Sequence, residues 1–476
     1  MLSSGSSTLW KPTRQHDRHG RRATRAGSLT ARLWQDQRAS TWVGAAVISA
    51  ILMLGGSRTD ATAPYAAIFF LGAGLLALVL GQNGCAAFRR LPAAVSGVLA
   101  ALFALPVIQL VPLPAGWGQD AQGLQTATAI RALAGQGSAW LPLTLTPQTT
   151  VQLILSLVVL LGVFLAVVLA DARGVRLIVG AILAVEMLSI VIGVLQLTSG
   201  GRLFNFYNSS HRFNLIGFFV NRNHTAVFLA CMIPLALGFL TGGRNPPRAL
   251  FAATGAIASA VLVAVVGTVS RAGIVLTVAS FLLTLALMVP FPAGRRRLTV
   301  AALAGGTGVF GVLLFASTTV SRVFDRYADV GDDLRWRYYA RTLALIPKFF
   351  PWGGGFGSFV PIYTANEPLG DVKPTYVNNA HNDFIEIVLE AGFPGGILAL
   401  AVVLLTAWAG WRIIRMAPSP ERSMALAGLI VMILFLAHSM VDYPLRRMAC
   451  AALFSVALAL VVRPLTRQPA SLGEHA

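Results

Sequence analysis

Twelve stretches of this sequence are long and apolar enough to cross a lipid bilayer, a constraint that precedes every other. A helix needs about 20 apolar residues to span the hydrocarbon core, because its backbone groups find no water there. The runs fall near 40–57, 63–81, 91–112, 150–170, 176–197, 224–241, 249–269, 272–291, 298–318, 396–413, 423–442 and 446–463. Hydrophobic residues make up 56% and charged residues 12%, which excludes a soluble globular domain. The expected fold is all-α and integral to a membrane. Residues 1–39 are expected to form a disordered basic tail, 40–318 spans one to nine, 319–395 a long loop, 396–463 spans ten to twelve, and 464–476 a second tail.

A net charge of +19 raises the question of nucleic acid as a partner. The positions of the charges argue against it. Arginines sit in short turns between apolar runs, at Arg89/Arg90, Arg173/Arg176, Arg244/Arg248, Arg295–Arg297, Arg412/Arg415/Arg422 and Arg463/Arg467. That alternation follows the positive-inside rule and puts both termini in the cytoplasm. The long loop then faces outward. Cys85, Cys231 and Cys450 are far apart and lack metal-ligand spacing, so neither a disulfide framework nor a zinc site is expected.

The chemistry-bearing side chains gather on the outward side. His211, His224, His381 and His438 map there, with Arg202, Arg212, Arg222 and Arg271. The long loop adds Arg322, Arg326, Arg335, Arg337 and Arg341. Arg271 opens a helix, where the amino-terminal dipole adds positive potential. Guanidinium groups match phosphate oxygens in a two-pronged geometry, so an anion at the interface is the natural partner of this set. For any one arginine, contact with lipid headgroups is the plainer explanation; convergence on one face favours function. His381 sits in Asn378-Asn379-Ala380-His381-Asn382-Asp383, where Asn and Asp suit a helix start. A neutral imidazole there can accept a proton from a sugar hydroxyl, against the alternative of a structural or capping histidine. The glycine-rich Pro351–Ser358 segment lacks Gly-Lys-Ser/Thr and is read as a tight turn, not a nucleotide loop. Glu186 falls mid-span, where a charge costs roughly 2.5–3.5 kcal/mol. A functional role and a protonated or hydrogen-bonded structural role stand level for it.

Taken in order, these segments resemble a known family. Val220-Asn221-Arg222-Asn223-His224, Ser270-Arg271-Ala272-Gly273, Arg335-x-x-x-Tyr339, the glycine-rich turn, Ala380-His381-Asn382-Asp383 with Glu390-Ala391-Gly392, and His438-Ser439-Met440-Val441-Asp442-Tyr443 together resemble the O-antigen ligase and polysaccharide polymerase family over roughly 150–463. Where the family usually has Trp, this chain has Tyr339. The resemblance implies a GT-C-like fold with a long periplasmic loop between spans nine and ten. It implies a glycosyltransferase of the bacterial inner membrane, active at the periplasmic face without metal or cofactor. The donor would be a glycan on undecaprenyl diphosphate. The acceptor would be a sugar hydroxyl on lipid A–core or on a second lipid-linked glycan, with the bilayer and polysaccharide-assembly proteins as further partners. A protein-glycosylating branch also exists. By motif, Arg271 and Arg335 carry over as diphosphate binders and His381 as the base, with Arg337 left open against Arg335. Arg222, Asn223, His224, Asn382, His438 and Asp442 are further site candidates. The Asn221…His224 and His438…Asp442 segments resemble the polymerase branch. The competing classes are a flippase or transporter of a lipid-linked glycan, and a non-catalytic assembly component.

Overall fold

The computed structural model describes residues 37–57, 61–114, 140–241, 247–289, 335–372 and 376–466, with a few positions between 125 and 135. Among these, ten helices are long and apolar enough to cross a membrane, and an eleventh, Arg38–Leu54, is apolar and shorter. The protein is an all-α integral membrane protein. The one strand pairing among the described residues is a two-residue antiparallel ladder, Pro112–Leu113 with Leu141–Pro142. The expected ninth span at 298–318 lies outside the described residues, as do Arg322, Arg326, His16, His19 and His475.

The principal helices are α1 (Gln37–Leu54), α2 (Thr62–Asn83), α3 (Ala93–Leu110), α4 (Pro147–Leu169), α5 (Ala172–Thr198), α6 (Arg222–Thr241), α7 (Pro247–Thr268), α8 (Arg271–Met288), α9 (335–349), α10 (Asp383–Ile414), α11 (Pro420–His438) and α12 (Met448–Val462). In lipid no hydrophobic force draws helices together, so close backbone contact between small residues must do so. At Gly428 an added Cβ would lie 2.6 Å from the Ala457 carbonyl, so α11 and α12 touch through their backbones. Helix α6 is the most buried span and sits at the centre of the bundle.

The two ends of the bundle differ. At one end arginines satisfy helix-terminal carbonyls: Arg463 donates to Val167 O (2.9 Å) and Val168 O (3.1 Å), and Arg422 to Ile413 O (3.2 Å). At the other end the connecting segments knit together. Val220 N donates to Gly56 O (3.0 Å), Ala449 N to Gly55 O (3.1 Å) and Leu145 N to Gly354 O (2.8 Å).

Three boundaries at this knitted end differ from the sequence reading in ways that shape the site. Helix α10 begins at Asp383, well ahead of 396, and passes through a kink at Gly392 (φ 59°). There Phe393 N donates to Pro351 O (2.9 Å), so the glycine-rich turn supplies a hydrogen bond that the kink removes from the helix. A Cβ on Gly392 would lie 1.9 Å from Pro351 O, so only glycine fits. Helix α11 ends at His438 and α12 begins at Met448. Asp442, Arg446 and Arg447 therefore sit in a turn between spans, not inside them.

Candidate active site at the knitted end

Local sequence explains why His381 is held where it is. Asn382 caps α10, its side chain accepting from Phe384 N (3.0 Å) and Ile385 N (3.1 Å). Its amide donates to Met440 O (2.9 Å), and Asp383 N donates to Ser439 O (2.9 Å), so the cap is tied to the turn after α11. His381 adopts a left-handed backbone (φ 56°), a conformation a non-glycine residue keeps only under outside constraint. Tyr339 of α9 supplies one constraint, its hydroxyl donating to His381 O (2.7 Å). Glu386 supplies another, accepting from Ala380 N (2.7 Å) and the Asn379 side chain (2.8 Å).

The imidazole meets Asp442 at 3.2 Å through Nδ1. It lies between the Tyr338 ring (6.0 Å, 22°) and the edge-on Tyr443 ring (5.0 Å, 70°). Asp442 is fully buried and is the hub of the cluster. It accepts from Asn223 Nδ2 (2.8 Å) and Tyr443 N (3.0 Å), and His224 and His438 each approach it at 3.9 Å. Burial would raise its pKa, but the His381 hydrogen bond and the surrounding imidazoles outweigh burial and hold it well below the usual carboxylate range. An ionised carboxylate can only accept, so Nδ1 of His381 carries the proton and Nε2 is the basic nitrogen.

The hub extends to α8. Asn223 accepts from Ser270 Oγ (2.9 Å), and Ser270 caps the helix that Arg271 opens, accepting from Gly273 N (3.1 Å). Ser270, Asn223, Asp442 and His381 thus form one hydrogen-bonded chain, with half-buried Arg271 beside it in sequence. Arg222 is also half-buried and acts on His211, whose pKa burial and the Arg222 charge lower to about 4. On α9 the two neighbouring arginines part. Arg337 is 52% exposed and pairs with Asp371 at 3.0 Å. The charge of Arg335 acts on Tyr339, where burial raises the phenol pKa and Arg335 opposes it. Arg341 is bound to Asp371 and to the Tyr363 hydroxyl (3.1 Å).

Sequence reasoning missed the ion cluster beneath this site. Asp383, Glu386 and Glu390 share one face of α10, and Arg446 reaches all three, at 3.5, 3.1 and 2.9 Å. Burial opposes the Arg446 charge, but these carboxylates hold its pKa above the usual arginine value. Glu390 also accepts from Gly357 N (3.0 Å) and Phe359 N (3.3 Å), fixing the glycine-rich turn. The signal was present: three acids on one face of an otherwise apolar helix require a cation. Arg447 lies over the Tyr443 ring at 5.4 Å. Glu186 is fully buried midway along α5, apart from this cluster, and among the described residues neither carboxyl oxygen has a hydrogen-bond partner.

Residues 255–400 match the family model described as O-antigen ligase. The chain carries an O-antigen ligase domain. No curated protein matches it. The O-antigen ligase domain holds Arg271, Arg335, Arg337, His381 and Asn382, together with the Arg446-bound acids. Arg222, Asn223 and His224 precede it, and His438 and Asp442 follow it, so the hub is completed from outside the matched segment. The resemblance read from the motifs is borne out over residues 255–400, which match the O-antigen ligase family, and the helices are those of a multi-pass membrane protein.

Proposed function

We propose that this protein is a glycosyltransferase that moves a glycan from undecaprenyl diphosphate to a sugar hydroxyl, at the periplasmic face of a bacterial inner membrane. His381 is the general base. Its Nε2 takes the proton of the acceptor hydroxyl as that oxygen bonds to the anomeric carbon. The bond from that carbon to the diphosphate breaks, and undecaprenyl diphosphate leaves as the anion. Arg271 and Arg335 hold that diphosphate and neutralise the charge it gains, which removes the need for a metal ion. Asp442 orients the imidazole and stabilises the imidazolium that forms, the arrangement that general-base histidines require. Asn223, His224, His438 and Asn382 build the frame around it.

The observation that carries this reading is the contact between His381 Nδ1 and the buried, ionised Asp442, in a chain with an O-antigen ligase domain. The acceptor is a sugar of lipid A–core or of a second lipid-linked repeat. The test is reconstitution in proteoliposomes with lipid-linked glycan as donor and each acceptor in turn. Product glycan and released undecaprenyl diphosphate, formed equally with EDTA, are the expected outcome. Strict dependence on a divalent ion, or translocation of the donor without transfer, would refute the proposal.

A further inference from the structure

Helix α9 has two faces of opposite character. One is pinned to the protein: Thr342, Leu345 and Phe349 are buried, and Leu345 and Phe349 pack with Phe359, Ile362 and Leu389. The other is apolar and exposed. Trp336 is 73% exposed, Leu343 52% and Phe350 52%, with exposed Ala340 and Pro347 between them. Those positions recur every three or four residues, so they form one stripe along the helix, about 22 Å long at 1.5 Å per residue. The flanks carry Arg335, Arg337, Arg341 and Lys348, and residues 335–349 contain no acid. A basic helix with a tryptophan-bearing apolar face is the composition of helices that lie in a membrane interface.

The stripe is continuous with the lipid-facing surface of the bundle. The Phe350 ring lies 6.5 Å from Phe393, the residue that follows the kink in α10. Below Phe393 the same helix exposes Ile397 (52%), Leu400 (57%) and Leu404 (59%), spaced for one face of a spanning helix. An apolar surface therefore runs from the wall of the bundle onto the underside of α9 without a polar break.

We propose that α9 lies in the plane of the membrane surface and that the bilayer is the partner of its exposed face. Trp336, Leu343 and Phe350 enter the boundary between headgroups and acyl chains, and Arg337 and Lys348 on the flank lie at headgroup level. This sets the depth of the candidate site, because the same helix bonds His381 O through Tyr339 and stacks Tyr338 on the imidazole. The inference rests on the membrane-spanning fold and not on the transfer reaction.

The test uses the full chain with Cys85→Ser, Cys231→Ala and Cys450→Ala, carrying one new cysteine at a time. Trp336→Cys, Leu343→Cys, Phe350→Cys and Arg337→Cys forms are labelled with an environment-sensitive fluorophore and reconstituted in phosphatidylethanolamine–phosphatidylglycerol vesicles. Variants are first screened for unaltered thermal unfolding, and any one stripe position that passes suffices. Lipids brominated on their acyl chains should quench the stripe labels and spare the Arg337→Cys label, and aqueous iodide should do the reverse. Iodide quenching of the stripe labels would show a face in water and overturn the proposal. Labels reached by neither quencher would show a face covered by protein and overturn it equally.

Discussion

Replacing Asp442 by Asn changes almost nothing in volume and nearly everything in the chemistry of His381. The carboxylate accepts three hydrogen bonds, from His381 Nδ1, Asn223 Nδ2 and Tyr443 N. An amide presents one acceptor and one donor, so it must face a donor with its own N–H or turn the imidazole to its other tautomer. Either outcome removes the basic nitrogen from the acceptor. The size of the loss follows from the distance. A carboxylate 3.2 Å from a developing imidazolium stabilises it by about 5 kcal/mol at an effective dielectric of about 20, an upper figure because His381 is 20% exposed. About 5 kcal/mol is close to four decades of rate, so Asp442→Asn should lose about 10²–10⁴-fold in transfer. Purified variant and wild type would be compared for single-turnover transfer from lipid-linked glycan, with donor binding measured separately and folding checked by thermal unfolding. Binding should survive, since the arginines are untouched. A folded Asp442→Asn protein that transfers within a few-fold of wild type would refute the orientation argument.

The arginines of α9 and α8 should separate by role: Arg271→Ala and Arg335→Ala should abolish donor binding, with Lys a poor substitute for the two-pronged guanidinium, whereas Arg337→Ala should cost little because Arg337 pairs with Asp371 at the surface. A dead Arg337→Ala protein beside an active Arg335→Ala protein, read by binding of lipid-linked glycan, would reverse that assignment. Gly392→Ala should cost about 1–3 kcal/mol from its backbone conformation alone, before the clash with Pro351 O, and should lower the thermal midpoint. His211, whose pKa is lowered to about 4, is neutral in the folded protein where the unfolded chain takes a proton, so its contribution is complete above about pH 6.5 and is lost as pH falls towards 4. Across that window wild type should lose stability relative to His211→Gln, and parallel pH profiles of unfolding would contradict it.

The spans were legible because the bilayer demands long apolar runs, and ten of them reappear as helices that meet that demand. Much of the candidate site was legible as residue types gathered at one end. Its wiring was not. Gly392-Phe393-Pro394 reads as a helix stop, yet α10 continues through it because Pro351 O receives the freed Phe393 N–H from far along the chain. Asp442 reads as the end of a span, but it is a buried hub only because Asn223 and His381 meet it from across the fold. Arg446 reads as the start of an apolar run, and its partnership with the α10 acids is a tertiary fact.

If His381 takes the acceptor's proton, single-turnover glycan transfer by the purified His381→Gln protein shows it most directly. Gln keeps a hydrogen bond but cannot act as a base near neutral pH. The Gln form should bind the lipid-linked donor normally and transfer about 10²–10⁴-fold more slowly. Near-normal transfer by the Gln form would contradict proton transfer to His381 and leave His381 as a positioning residue.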